Sequence, residues 1–304
     1  MKISVFDIGG TFIKHSIFNG LELSYTQFIQ TNPQLGSENM IQTLIQVLIE
    51  ENAQSPLDGI GISTRGQVDF SHGVIIFDPP DLFPDYSGTP LCTRIKEGLG
   101  NPDIPVIIEN DGNCAAIAES AFGASKEYDD SLCLVFGTAV GGGIIHDRKI
   151  YRGAAFSAGE FGMMQLFDKE GFPVFYEDCA SVTSLVKAAS KVNPHLTDGK
   201  KILSAWEKED TGISEVIHEW SLRVAMGLTS LIHIFNPACL VLGGGIMESE
   251  KVVDSIHRCT YPMLAPGFEQ VKILPAALGN TAGMLGAAYL TMQAMSVDTS
   301  STNP

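Results

Sequence analysis

A chain of 304 residues is longer than one hydrophobic core usually serves, so two packed domains are expected. With 44% hydrophobic and 18% charged residues it reads as globular and not disordered. A formal net charge of −16 without a basic run argues against a nucleic-acid partner and against docking on an anionic membrane surface.

Met1-Lys2 leads straight into a strand and leaves no room for a signal peptide, so a cytoplasmic location is expected. Short apolar runs then alternate with stretches of helical period, the signature of α/β architecture. A strand pair is expected over 3–20, a helix over about 38–50 and a strand over 59–64. A strand over 105–109 runs into a helix over about 112–122. A second series begins at Leu132 with the strand "LCLVFG", a turn and the strand "GGGIIHDRK", followed by helices and the strand "ACLVLGGGI". The stretch "SEVIHEWSLRVAMGLTSLIHIF" carries Glu, Arg and two His, which makes it a buried helix and not a membrane span. A helix over about 282–295 is expected to return to the first domain. That gives one domain of 1–120 plus about 285–304 and a larger one of 121–284, with a polar tail, "SVDTSSTNP", expected to fray. The cysteines (Cys92, Cys114, Cys133, Cys179, Cys239, Cys259) form no C-x-x-C pair and read as thiols of a reducing compartment.

Between the first two strands, "FDIGGTFIK" places more chemistry than a plain hairpin needs. A Gly-rich bend lets backbone N–H groups form a concave nest for an anion, while a hydroxyl and an ammonium add donors. Asp7, Ile8, Gly9, Gly10, Thr11 and Lys14 make up the first bend. The second, in "CLVFGTAVGGGIIHD", holds Gly137, Thr138, Ala139, Val140, Gly141 and Gly142. Each opens its own half of the chain with the same strand–bend–strand plan, which suggests two similar domains with both bends lining the cleft between them. Asp7 would repel a phosphate and would act instead through a hydrated Mg²⁺. The alternative is that the glycines serve only tight turns; two bends and a third run, Gly243, Gly244 and Gly245, favour a nucleotide cleft. The spacing matches neither the P-loop nor the dinucleotide fingerprint.

In "PVIIENDGNCAAIAES", Glu109, Asn110 and Asp111 end a buried strand where a helix begins, the edge that faces the crevice in open α/β sheets. Asp111 could take the proton of an attacking hydroxyl; equally, Asn110 or Asp111 could cap the helix. Glu160 in "GAAFSAGEFGMM" reads as a loop acid, and Glu177 in "FYEDCASVTSL" as an acid at a helix start. Two such carboxylates would suit the vicinal hydroxyls of a sugar, although spacing does not show it.

Taken together, "FDIGGTFIK", "GIGISTRGQVD", "ENDGNCAAIAE", "FGTAVGGGII", "SAGEFG", "NPACLVLGGGI" and "LGNTAGMLGAA" resemble the ROK family of sugar kinases over nearly the whole chain. The resemblance implies the two-domain actin/hexokinase/Hsp70-like (ribonuclease H-like) α/β fold with an interdomain cleft. It implies that both bends hold the phosphates of ATP with Mg²⁺, that Gly243, Gly244 and Gly245 lie near the adenosine, and that Asp111 is the catalytic base. Gly66, Asn110, Glu160 and Glu177 would grip the sugar, and the chain would form a homodimer. The activity implied is ATP-dependent phosphorylation of a hexose or hexoside at its 6-hydroxyl. Because the family includes repressors, a sugar-sensing regulator is the non-enzymatic alternative.

Three departures qualify that picture. Family members often carry a histidine and then a zinc-binding cysteine run after the AGE motif. Here Met163 stands at the histidine position, and residues 164–179 hold one cysteine and no histidine, so no structural zinc is expected. This pattern resembles the bacterial β-glucoside kinases and points to an acceptor such as cellobiose, with glucose or N-acetylmannosamine as the alternatives. Phe172, Phe175 and Tyr176 would form a platform for a second sugar ring or simply fill core. Arg65 replaces a usual proline, and Ala139 replaces a glycine, at a steric cost if that position needs a positive φ.

Overall fold

The run Ile3–Ile8 (β1) is buried along nearly its whole length, as a strand covered on both faces must be. A computed structural model of the protein describes residues 1–80, 82–168 and 170–300, with side chains to residue 296. The chain divides into two compact units. One comprises Met1–Ala118, Arg152–Ala158 and the chain from Asn280 onward, and the other Glu119–Tyr151 and Gly159–Gly279.

After β1, the first unit continues through β2 (Phe12–Phe18), β3 (Gln27–Gln30), α1 (Gly36–Gln54) and β4 (Gly59–Thr64). A small hairpin, β5 (Gln67–Asp69) and β6 (Val74–Phe77), leads to α2 (Leu91–Leu99), β7 (Val106–Asn110) and α3 (Asp111–Ala121), whose end from Glu119 onward falls in the second unit. The main sheet has the order β3-β2-β1-β4-β7. Helix α1 buries Met40, Ile41, Leu44, Ile45 and Leu48, the i, i+3/i+4 spacing of one helical face, against Phe6, Ile60 and Ile62 of the sheet. Each such aliphatic side chain contributes on the order of 1.5–3 kcal/mol.

The second unit holds β8 (Ser131–Phe136), β9 (Val140–His146), β10 (Lys149–Ile150), the hairpin β11 (Gln165–Phe167) and β12 (Pro173–Phe175), and α4 (Tyr176–Ala180). It continues with α5 (Val182–Val192), α6 (Gly199–Glu207), α7 (Thr211–Phe235), β13 (Cys239–Gly243), α8 (Glu250–Thr260) and β14 (Lys272–Pro275). Its main sheet has the order β10-β9-β8-β13-β14, the same as in the first unit, with the same antiparallel hairpin and parallel neighbours. The repeat seen in the two Gly-rich bends is therefore a repeat of whole sheets. Helix α7 begins where the Asp210 side chain accepts from Ile213 N and ends at Asn236 in the left-handed region, its buried stripe running from Ile213 to Ile232. Among the described residues no helix is long and apolar enough to cross a membrane.

Helix α9 (Ala282–Ser300) closes the first unit and packs through Met284 and Ala288 against Ile3 and Val5 of β1 and Phe18 of β2. The start of the tail expected to fray thus continues this helix through Ser300, while 301–304 lie outside the described residues.

Candidate active site

In the first unit, parallel pairing aligns Ile8 with Thr64 and Thr64 with Asn110, so β1, β4 and β7 end in one row. The bend after Ile8, the turn at Arg65–Gly66 and Asp111 therefore share the carboxyl edge of the sheet, where ligands of open α/β folds bind. Gly9 N–H closes the bend on Phe12 O at 3.1 Å, and Thr31 Oγ1 donates to Gly9 O at 2.8 Å. Gly10 and Thr11 stand exposed beyond it, whereas Ile8 is buried and can offer only its backbone. Asp7 Oδ1 accepts from Ser63 Oγ at 2.7 Å and Oδ2 from Lys14 Nζ at 2.9 Å; Lys14 also donates to Asn280 O at 3.2 Å. Ser63 lies in a motif singled out for other reasons, and no sequence signal marks it as the partner of Asp7.

At "END" the capping role falls to Asn110, and Asp111 carries the exposed carboxylate. Asn110 is the cap: its Oδ1 accepts from Asn113 N at 3.1 Å, while its Nδ2 donates to Gly66 O at 3.0 Å. Asp111, the first residue of α3, is exposed, and its Oδ1 accepts from Gly112 N at 2.8 Å. Beneath them Glu109, 1% exposed, receives Asn110 N–H and Asn113 Nδ2 on Oε1, both at 2.9 Å, and Arg152 Nε on Oε2 at 2.6 Å. Burial first, then the carboxylates of Glu109 and Asp7, with Asp111 a smaller influence, hold the neighbouring Cys114 thiol well above the usual thiol range, so it is inert as a nucleophile.

The second unit repeats the arrangement. β8 and β13 run parallel with Val135 beside Gly243, which brings Gly137 and Thr138 alongside Gly244 and Gly245 at one sheet edge. Gly137 N–H bonds Ala139 O at 3.0 Å, and Gly137 O accepts Val182 N, at the start of α5, at 3.0 Å. Ala139 has no positive φ, so the feared steric cost is absent. Val140 and Gly142 are buried in β9, and Gly243 is buried in β13. Gly244 has φ +102° and sits where a Cβ would lie 2.0 Å from Phe136 O.

Glu160 and Glu177 come together in this unit. A Cβ on Gly162 would lie 2.6 Å from Glu177 Oε2, so the glycine after "AGEF" leaves room for that carboxylate. Glu160 keeps one face open to solvent, yet burial of its carboxyl, and secondarily the charge of Glu177, raises its proton affinity above the ordinary value of 4.5. Ionised Glu160 therefore costs stability, an effect that is absent well below pH 4.5 and develops as pH rises through the raised value. Glu160→Gln should melt higher than the parent at pH 7, with the gain vanishing near pH 4; thermal melts at both values check it, and an equal gain at both would refute the sign.

The aromatic run after Met163 divides. Tyr176 is fully buried, its hydroxyl donating to Val224 O at 2.8 Å, so it fills core and is no platform. Phe172 and Phe175, with Phe167 and Met163, are exposed on and beside the β11–β12 hairpin. Cys179 donates to Tyr176 O at 3.3 Å.

Two sheets of one order, each ending in a Gly-rich bend, define an α/β protein of the actin/hexokinase-like fold. A glucokinase from Streptomyces griseus, solved in complex with glucose and AMPPNP, superposes with a TM-score of 0.81 at 28% identity, covering 96% of this chain and 100% of that one. The chain belongs to the ROK family, whose profile matches residues 3–294. A β-glucoside kinase of Listeria monocytogenes is 31% identical over 302 residues, 96% of this chain and 98% of that protein. The xylose repressor of Bacillus subtilis is 27% identical, covering 94% of this chain and 76% of the repressor.

Proposed function

We propose that this protein is a carbohydrate kinase that transfers the terminal phosphoryl group of ATP to a sugar hydroxyl, with Asp111 as the base. The observation that carries the reading is the common strand-end row in the first unit, which sets an exposed carboxylate at Asp111 on the same sheet edge as the Gly9–Gly10–Thr11 bend. Asp111 accepts the proton of the attacking hydroxyl while Asn110, held by Gly66, orients the acceptor. Glu160 and Glu177 accept hydrogen bonds from vicinal hydroxyls. The two bends and Lys14 meet the charge of the phosphates, and the glycines at 243–245 border the nucleotide base.

Mg²⁺ would neutralise phosphate charge and orient the nucleotide. The oxygen donors at Asp7 suit such a hard ion, and with the Lys14 ammonium already on Oδ2 the contact would run through water. No structural zinc is proposed: the segment where relatives of the family carry its ligands folds here as a hairpin with exposed phenylalanines. Elemental analysis of purified protein finding one zinc per chain would overturn this. The protein is read as a cytoplasmic homodimer without nucleic-acid or membrane partners.

The acceptor proposed is a β-glucoside such as cellobiose, supported by likeness to the Listeria enzyme and by apolar Met163 with Phe172 and Phe175. A coupled ATP-consumption assay across cellobiose, glucose, N-acetylmannosamine and fructose tests it. kcat/KM should be highest for cellobiose, and Met163→His should shift preference toward glucose. Strong glucose preference with no β-glucoside turnover would leave a kinase but remove this acceptor. Absence of any sugar-dependent ATP consumption, with sugar binding retained, would favour a sensor.

A further inference from the structure

Arg152 belongs to a seven-residue segment, Arg152–Ala158, that packs with the first unit although the chain on either side belongs to the second. The segment closes on itself, Ala158 N donating to Arg152 O at 3.1 Å, and Gln67 Nε2 donates to Ala155 O. Two residues later comes Glu160. Arg152 holds the segment at its first residue through two contacts. Its Nε donates to Glu109 Oε2 at 2.6 Å, and its guanidinium carbon lies 3.8 Å from the centre of the Phe70 ring. The ion pair is one-sided in burial: Glu109 is 1% exposed and Arg152 20%.

Glu109 is also the foundation of the row that ends in Asp111. One carboxylate oxygen fixes Asn110 N–H and Asn113 Nδ2, and the other takes Arg152. Its orientation therefore sets where Asn110 caps α3 and where Asp111 begins it. A carboxylate this buried is held in place by its counter-charge; without one it is costly and turns toward solvent or other donors. The planar guanidinium donates to Glu109 while lying over the Phe70 ring, a pairing that an ammonium cannot reproduce.

We propose that Arg152 is a positioning residue for phosphoryl transfer: by holding Glu109 it fixes Asn110 and Asp111 in the geometry that the attacking hydroxyl requires. This inference rests on the reading of Asp111 as the base. Misplacing a reacting group by about 1 Å costs roughly 10²-fold in rate, whereas binding of a nucleotide by the bends does not depend on this pair.

The test measures kcat and both KM values with the best sugar of the panel for Arg152→Ala, Arg152→Lys, Glu109→Gln and the double variant Arg152→Ala/Glu109→Gln. Arg152→Ala should lower kcat by about 10- to 10²-fold with KM for ATP within about 2-fold of the parent. Added guanidinium ion should restore part of the loss, and Arg152→Lys should fall between parent and alanine variant. The double variant should be no slower than the worse single, because both act through one unit. An active parent with Arg152→Ala at parental kcat, or with additive losses in the double variant, overturns the proposal alone. A parent with no sugar-dependent turnover overturns the kinase reading and this inference with it. Should Arg152→Ala fail to fold, Arg152→Lys decides: unchanged kcat refutes the proposal, and a selective kcat loss with unaltered melting supports it.

Discussion

Asp111→Asn is expected to lower kcat by about 10²-fold or more, the usual scale for losing a general base, while sugar affinity survives. The substitution keeps the size of the side chain and an oxygen for the Gly112 N–H that Oδ1 now accepts. It leaves the cap untouched, because that is made by Asn110 and not by Asp111. A stability change is thus not expected to confuse the result, and the melting temperature should move little. What is lost is an acceptor able to take a full proton from the hydroxyl. Steady-state kinetics beside calorimetric sugar titration separate the two quantities. A variant that turns over near the parental rate would remove Asp111 from the chemistry, and one that loses sugar affinity wholesale would make it a binding group.

The second large effect is structural. Gly244→Ala places a Cβ 2.0 Å from Phe136 O at a residue with φ +102°, a region that L side chains rarely adopt. Strain of that backbone class costs on the order of 1–3 kcal/mol, and overpacking against a fixed carbonyl adds a comparable amount. Phe136 cannot yield easily: it is fully buried and its ring packs edge-on against Tyr176 and Trp220. A loss of about 3 kcal/mol corresponds to roughly 6 to 12 °C in Tm. Gly245→Ala is the control, since nothing lies within 4 Å of its Cβ, and surface changes of that kind stay within about 0.5 kcal/mol. Equal melting of the two variants would refute the argument.

The sequence exposes the sheets more readily than the contacts across them. β1, β4 and β7 are legible as short runs rich in apolar residues, and the bends as glycines between strands, because both signals are local. The hydrogen bond from Ser63 to Asp7 and the pairing of Arg152 with Glu109 join residues 56 and 43 positions apart, and nothing near either residue announces its partner. The return of Arg152–Ala158 to the first unit is silent for the same reason. At "END" the sequence offers two roles and two residues but does not assign them; only the hydrogen bonds of Asn110 give the cap to one and leave the exposed carboxylate to the other. Tyr176 shows the opposite limit: among exposed phenylalanines it reads like its neighbours, yet the turn into α4 buries it against α7.

The closing position of α9 has a consequence for how the protein is made. A ribosome releases the first unit's strands long before the helix that covers them, so Ile3, Val5 and Phe18 wait through the synthesis of the whole second unit for Met284 and Ala288. Until then one face of β1 is bare apolar surface on a nascent chain. Every chain that stalls or is cut short before residue 282 carries that uncovered face, which makes such fragments natural clients of chaperones and natural seeds of aggregation.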